Sequence, residues 1–229
     1  MANASKEVLD ALKEIDSATL FNAVVEDMGA SQGGLELEDK GGQPENYTGP
    51  EIRCLLPELG RAVGYAVTAE VTTNDPDSVA IPWDDYYDAL DKAPKPVMAV
   101  MRDVDSRPGR GACFGDWMAL QHRALGVTGA LVDGSVRDLM GIKEVGLPIW
   151  ATGLVPGHGV FNLVRVNVSV VVGQLRVQPG ELLVADTDGC TKIPAGHDPA
   201  EIVRLAQGIL RLEAKFRAKA LEKQSAARG

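Results

Sequence analysis

The chain has 229 residues and carries 32 Asp and Glu against 23 Lys and Arg, a net charge of −9 at pH 7. Hydrophobic residues make up 45% of it and charged residues 24%, the balance of a globular protein with a full core, which excludes disordered and fibrous classes. The acidic balance argues against a nucleic-acid partner, because phosphate contacts need clustered Lys and Arg, and leaves open a protein partner or a small anionic substrate.

Val8, Leu9, Leu12 and Ile15 recur at helical spacing and predict a first helix. A second, capped by Ser17 or Thr19, runs through Leu20, Phe21, Val24 and Val25. From Gly29 to Gly60 the chain is rich in Gly, Pro, Asn and Glu, which reads as a long polar loop with short strands. Ala62 to Thr72 is β-branched and partly alternating, a strand. Trp83 to Lys92 suits a short helix stopped by Pro94, and the apolar run from Pro96 to Asp103 a strand buried on both faces. A glycine-bearing turn, Gly109 to Gly115, opens a helix from Asp116 to Leu125. Gly129 to Asp133 is a strand, Val136 to Val145 a helix and Leu147 to Ala151 a further strand. That alternation predicts parallel β-α-β units with a site at the carboxyl ends of the strands. After Pro156 the pattern changes to short strands at Leu163 to Val172, Gln174 to Val177 and Leu182 to Ala185. Pro199 to about Lys223 then forms one long amphipathic helix, with Ile202, Leu205, Ile209, Leu212 and Phe216 on its apolar stripe. One α/β domain spanning 1–229 is expected, with its core at about 17–194.

Cys54, Cys113 and Cys190 are scattered without a paired motif, as thiols of a reducing compartment. Two glycosylation sequons, at Asn46 and Asn167, lack a signal peptide to support them. Val145 to Val164 holds no charged residue, but Pro148, Pro156 and the glycines within it break any spanning helix. The expectation is a cytoplasmic protein without a membrane partner.

Two helix starts carry the candidate chemistry. In the first, Gly115, Asp116, Trp117, Met118 and Ala119 follow a glycine-bearing turn, and unpaired backbone N–H groups at such a start attract a carboxylate or phosphate. The second is the run VDGSVRD from Val132 to Asp138. If the strands lie side by side, Asp116, Arg137 and Asp138 converge at one mouth. Two acids supply hard oxygens for Mg²⁺ or Mn²⁺, and the guanidinium suits developing negative charge. Each residue also has a plain structural role available: Asp116 as a helix cap, Arg137 and Asp138 as a surface pair. The glycine turn matches neither the dinucleotide fingerprint nor the phosphate-binding loop.

In combination, Gly115-Asp116, twenty residues, then Arg137-Asp138 resembles the RraA-like family, which includes class II 4-hydroxy-4-methyl-2-oxoglutarate aldolases and oxaloacetate decarboxylases. QPGELLVAD from Gln178 to Asp186, followed by Asp188 and Gly189, is similar to the family's later motif, with Glu181 where members usually carry Asp. The resemblance covers roughly Ser17 to Pro194. It implies a layered α-β-β-α sandwich of the swivelling β/β/α type with a long C-terminal helix, assembled as a homotrimer or homohexamer with sites between subunits.

It further implies that Asp138 ligates Mg²⁺ or Mn²⁺ and that Asp116 holds the metal through water. Arg137 would bind the C2 oxygen of a pyruvate-like 2-oxo acid, and the amides of Asp116 to Ala119 its carboxylate. The expected function is a metal-dependent carbon–carbon lyase, by retro-aldol cleavage or decarboxylation. The alternative is a protein-binding regulator of ribonuclease activity. A metal-held water near Asp116 is the first candidate for the general base and His158 the second, although His158 reads better as a loop residue satisfying a backbone carbonyl. Asp186 and Asp188 read as turn residues, His122 as pointing outward from its helix, and His197 as part of a polar turn.

Overall fold

The computed structural model describes residues 3–29 and 46–227. Half of the stretch from Gly29 to Gly60, read as a polar loop, lies outside them. Its described part is less polar in role than its composition suggested. Ile52 and Leu56 are buried, Arg53–Cys54 forms the short strand β1, and Pro57–Leu59 a 3-10 turn.

Helix α1 (Lys6–Glu14) begins where the Ser5 hydroxyl accepts from the Val8 amide, and turns Leu9 and Leu12 inward. Helix α2 (Ser17–Asp27) is capped by neither residue expected from the sequence. Asp16 takes that place, accepting from the Thr19 amide at 2.7 Å and the Thr19 hydroxyl at 2.8 Å. Ser17 is thereby released to donate its amide and hydroxyl to Asp186, both at 2.7 Å, which fastens α2 to the far end of the chain.

The main sheet has the strand order β1-β6-β5-β3-β2-β10-β11. Its centre is parallel: β2 (Ala62–Thr72), β3 (Val97–Asp103), β5 (Val127–Val136) and β6 (Ile149–Leu154) run together. This is the β-α-β arrangement expected from the alternation, with α3 (Trp83–Lys92), α4 (Asp116–Ala124) and α5 (Leu139–Val145) in the connections and β4 (Ala112–Phe114) added beside β5. Two of the boundaries that differ from expectation bear on the site. The strand read as ending at Asp133 continues through Gly134 and Ser135 to Val136, because the Ser135 hydroxyl donates to the Gly109 carbonyl and β4 pairs alongside. The helix read from Val136 therefore starts at Leu139.

Strand β2 is buried along its whole length. One edge pairs with β3. The other is shared by β10 (Leu182–Asp186) near its start and β7 (Asn162–Val166) near its end, both antiparallel. The segment read as one strand from Leu163 to Val172 is split into β7 and β8 (Val170–Val172) by Asn167 at a positive φ of 52°. β8 pairs with β9 (Leu175–Val177) as a separate ribbon, and β11 (Gly189–Ile193) closes the sheet's end.

On one face of the sheet, α3, α4 and α5 cover a core that includes Val67, Met101, Phe114 and Ile149. On the same face nearer the start of β2, α1, α2 and α6 (Pro199–Ala226) enclose Val63, Tyr65, Leu182 and Val184. The opposite face packs on the β8–β9 ribbon through Met98, Leu131 and Trp150. The result is the mixed α/β architecture with a nearly closed sheet and a long terminal helix expected from the family resemblance. The three cysteines are free, and among the described residues no helix is long and apolar enough to cross a membrane.

Candidate active site

The site forms where β4 and β5 hand over to α4 and α5. Gly115 caps α4 in an extended conformation, leaving its first turn open. The Ala119 amide donates to the Gly115 carbonyl, and the Trp117 amide to Asp116 Oδ1 at 2.7 Å. Of the four amides expected to receive a carboxylate, two are therefore engaged within the helix start, and those of Asp116 and Met118 are left for a ligand. Ala119 is also fully buried, so its place is in the core under the site.

Asp138 caps α5 with φ 56° and ψ 39°, the left-handed region, which Asp tolerates better than most residues but at a cost. Its side chain makes no capping hydrogen bond. Instead Oδ2 lies 3.1 Å from Arg137 Nε, with both side chains about four-tenths exposed at a solvent-open mouth. The Arg137 amide donates to the Phe114 carbonyl, which joins the two helix starts directly.

Two glycines permit the approach of the acids. A Cβ on Gly115 would lie 3.0 Å from Asp138 Oδ2 and 3.5 Å from Arg137 Cγ. A Cβ on Gly141, in the first turn of α5, would lie 2.7 Å from both Cβ and Oδ2 of Asp116. Asp116 thus rests against α5 while Asp138 starts that same helix. The convergence of Asp116, Arg137 and Asp138 inferred from sequence is what the geometry contains.

Sequence reasoning missed the supports behind this mouth. Asp103, at the end of β3, accepts from the Gly109 amide at 2.7 Å and the Asp105 amide at 3.0 Å, and burial raises its pKa. Burial would raise Asp105 too, but amides of Arg107, Asn74, Thr73 and Asp75 donate to it and hold its pKa below the ordinary value. These carboxylates bind the loops that deliver the Gly109–Gly115 turn. The only sequence signal was a pair of acids following an apolar strand.

The histidines divide. His158 is exposed, with Nδ1 2.7 Å from the Gly159 carbonyl, the plain loop role. His197 Nδ1 lies 2.5 Å from Asp27 Oδ2, joining the end of α2 to the turn before α6. His122, expected to face outward, is fully buried. It lies four residues after Met118 on the inward face of α4, where Nδ1 is 2.6 Å from the Met118 carbonyl and Nε2 is 2.8 Å from Tyr86 Oη. A carbonyl only accepts, so Nδ1 carries the proton and the Tyr86 hydroxyl donates to Nε2. Burial pushes the His122 pKa down to about 4. Asp186 and Asp188 take the turn role: Asp186 accepts from Ser17 and from the Asp188 amide.

Among the described residues, no three His, Cys, Asp or Glu side chains gather as a ready metal cage. The mouth instead offers two carboxylates and open solvent. Such a donor set fits Mg²⁺ or Mn²⁺, since Mg²⁺ is commonly held by one or two carboxylates and keeps several waters.

The profile of the RraA-like family, described as Aldolase/RraA, matches residues 8–191. An uncharacterized protein of Methanocaldococcus jannaschii is 30% identical over 189 residues, covering 82% of this chain and 85% of that one. A Halalkalibacterium halodurans protein provisionally named 4-hydroxy-4-methyl-2-oxoglutarate aldolase is 33% identical over 88 residues, 38% of this chain and 42% of its own. Among solved structures, an uncharacterized Pseudomonas syringae protein superposes with a TM-score of 0.71 at 23% identity, covering 97% of this chain and 96% of the other. A Streptomyces coelicolor protein described as an unusual member of the RNase ES inhibitor RraA protein family gives 0.70 at 23% identity, with 95% and 98% covered. The family match over residues 8–191, together with the M. jannaschii relative, places the chain in the RraA-like family.

Proposed function

We propose that the chain is a divalent-metal-dependent lyase that cleaves a carbon–carbon bond of a 2-oxo acid. The observation that carries this reading is the joining of Asp116, Arg137 and Asp138 at one open mouth, with unengaged α4 amides beside them. Family membership and the name of the H. halodurans relative support it.

Asp138 would hold Mg²⁺ or Mn²⁺ directly and Asp116 through water. The bound cation supplies Lewis-acid polarisation of the substrate's keto and carboxylate oxygens. The amides of Asp116 and Met118 orient the carboxylate at the positive end of α4. In oxaloacetate the C3–C4 bond breaks, CO₂ leaves, and the electron pair moves to C3 and the C2 oxygen as a pyruvate enolate. In a 4-hydroxy-2-oxo acid a water near Asp116 takes the hydroxyl proton, the C3–C4 bond breaks, C4 becomes a carbonyl, and the same enolate remains. Arg137 meets the charge growing on the C2 oxygen, an interaction stronger in the transition state than in the ground state. Protonation at C3 then releases pyruvate.

The test is pyruvate release from oxaloacetate by the purified protein, in EDTA and then with Mg²⁺ or Mn²⁺. The expected result is release above the free-metal background that EDTA abolishes. No release from oxaloacetate or from 4-hydroxy-2-oxo acids by the folded protein would overturn the lyase and leave the ribonuclease regulator as the reading.

A further inference from the structure

Asp116 is flanked by two large apolar side chains that the fold leaves in solvent. Trp117, the next residue of α4, is 68% exposed. Met140, which directly precedes the Gly141 that Asp116 rests on, is 70% exposed. The Trp117 amide is already taken by Asp116 Oδ1, so this residue has only its indole to offer a ligand. Trp117 and Met140 are each the second residue of their helix. The Cα–Cβ bonds of a helix tilt toward its N-terminus, so both side chains lean back over the helix starts, where the mouth opens.

The cations on the same two helices are engaged elsewhere. Lys143 of α5 is paired with Glu58 at 2.6 Å. Arg123, at the far end of α4, donates to the Val127 carbonyl at 3.2 Å. Arg137, 3.1 Å from Asp138, is the group that meets the C2 oxygen. The pyruvoyl half of a substrate thus has its partners in the α4 amides and Arg137. For whatever is attached at C4, the described residues of α4 and α5 offer an indole and a thioether chain but no uncommitted cation. Such groups hold apolar surface, and aromatic rings best, through stacking and sulfur–ring contacts.

We propose that Trp117 and Met140 select the leaving half of the substrate, and that the substrate class is a 4-hydroxy-2-oxo acid with an apolar or aromatic substituent at C4. The proposal rests on the lyase reading of the same site. In the step concerned the hydroxyl proton leaves, the C3–C4 bond breaks and its electron pair passes to C3. The leaving half departs as an aldehyde, and C3 takes a proton from solvent, so the products are pyruvate and the aldehyde with no atom left over.

Pyruvate release is compared, with Mg²⁺ present, from two substrates. 4-Hydroxy-2-oxo-4-phenylbutanoate leaves benzaldehyde, and 4-hydroxy-2-oxoglutarate leaves glyoxylate. Oxaloacetate, whose leaving half is CO₂, reports on the lyase chemistry by itself. The phenyl substrate is expected to have the higher kcat/KM by about tenfold or more, the scale on which an apolar pocket discriminates. Trp117→Ala with Met140→Ala should remove most of that ratio, chiefly through KM for the phenyl substrate, while Trp117→Phe alone should keep most of it; thermal melting checks folding. A binding measurement stands beside the kinetics. Trp150 is buried and Trp83 half-buried, so acrylamide quenching of tryptophan fluorescence reports chiefly on Trp117. 2-Oxo-4-phenylbutanoate, which lacks the hydroxyl needed for cleavage, should reduce that quenching, and pyruvate should not. Release from oxaloacetate with a preference for 4-hydroxy-2-oxoglutarate would overturn the proposal and leave the lyase standing, with Arg107 and Arg110 of the turn before β4 as the holders of a second carboxylate. An unchanged ratio in the double variant would also overturn it. Release from none of the three substrates, with quenching unaltered, would overturn the proposal and the lyase reading together.

Discussion

Gly141→Ala tests how the two acids of the site are held together. The new methyl would stand 2.7 Å from both Cβ and Oδ2 of Asp116. Rotating the Asp116 side chain relieves the oxygen but not Cβ, which is fixed to the backbone of α4, so α4 and α5 must separate by several tenths of an ångström. Overpacking of this kind costs about 1–3 kcal/mol, while Ala in place of a helical Gly returns about 1 kcal/mol. The net loss is about 0–2 kcal/mol, a fall of up to about 8 °C in Tm for a chain of this size. The functional loss should be larger, because the Asp116–Asp138 separation is what changes. Mn²⁺ affinity measured by calorimetry is expected to drop about 10- to 100-fold, the usual effect of disturbing the groups that orient a metal ligand. Gly146→Ala is the control. It lies at the end of the same helix with φ 72° and nothing within 4 Å, so it costs stability by backbone strain alone and should leave Mn²⁺ affinity as it is. A Gly141→Ala protein that binds Mn²⁺ as tightly as the wild type would show that Asp116 is not held in place by α5 for this purpose.

Asp138→Gly should relieve the left-handed strain and raise Tm by a degree or more, while metal-dependent pyruvate release is lost; a lower Tm would refute the strain argument. Arg137→Ala is expected to cut turnover by two or more orders of magnitude with Mn²⁺ affinity nearly unchanged, read from parallel kinetics and calorimetry; equal turnover would remove Arg137 from the reaction. His122 supplies a pH prediction. Its folded pKa of about 4 lies below the ordinary 6.5, so the unfolded chain takes up a proton between those values that the folded chain refuses. Its contribution is fully present above pH 6.5 and is lost as the pH falls toward 4, by about 3 kcal/mol. His122→Leu should be less stable at about pH 7 but lose that part of the slope, measured by urea unfolding at about pH 7 and about pH 4.5; an unchanged slope would contradict the buried neutral ring.

The parallel centre of the sheet was readable because its strands are continuous apolar runs separated by helix-period segments, a pattern that short-range physics nearly determines. The convergence at the site was readable because Gly115-Asp116 follows a glycine-bearing turn into a helix and Arg137-Asp138 follows a buried apolar strand. His122 was misread for lack of a partner: nothing local tells that Tyr86, 36 residues earlier, offers a hydroxyl at 2.8 Å. The cap of α2 was missed for a similar reason. Ser17 suits a cap by local propensity, but Asp186 claims its hydroxyl from 169 residues away. The extension of β5 through Gly134 and Ser135 likewise depends on the Gly109 carbonyl and on β4, both supplied by tertiary contact.

Strand β2 also sets a condition on how the chain comes together. It ends at Thr72, yet one of its edges is completed only by β7 and β10, the latter ending at Asp186. At a synthesis rate of about 5–20 residues per second, that apolar edge stays open for on the order of ten seconds after the strand has been made. During that interval it is a template for pairing with any other extended chain. Fragments ending before β10 should therefore aggregate or occupy chaperones, and native structure should appear only once β10 has been made.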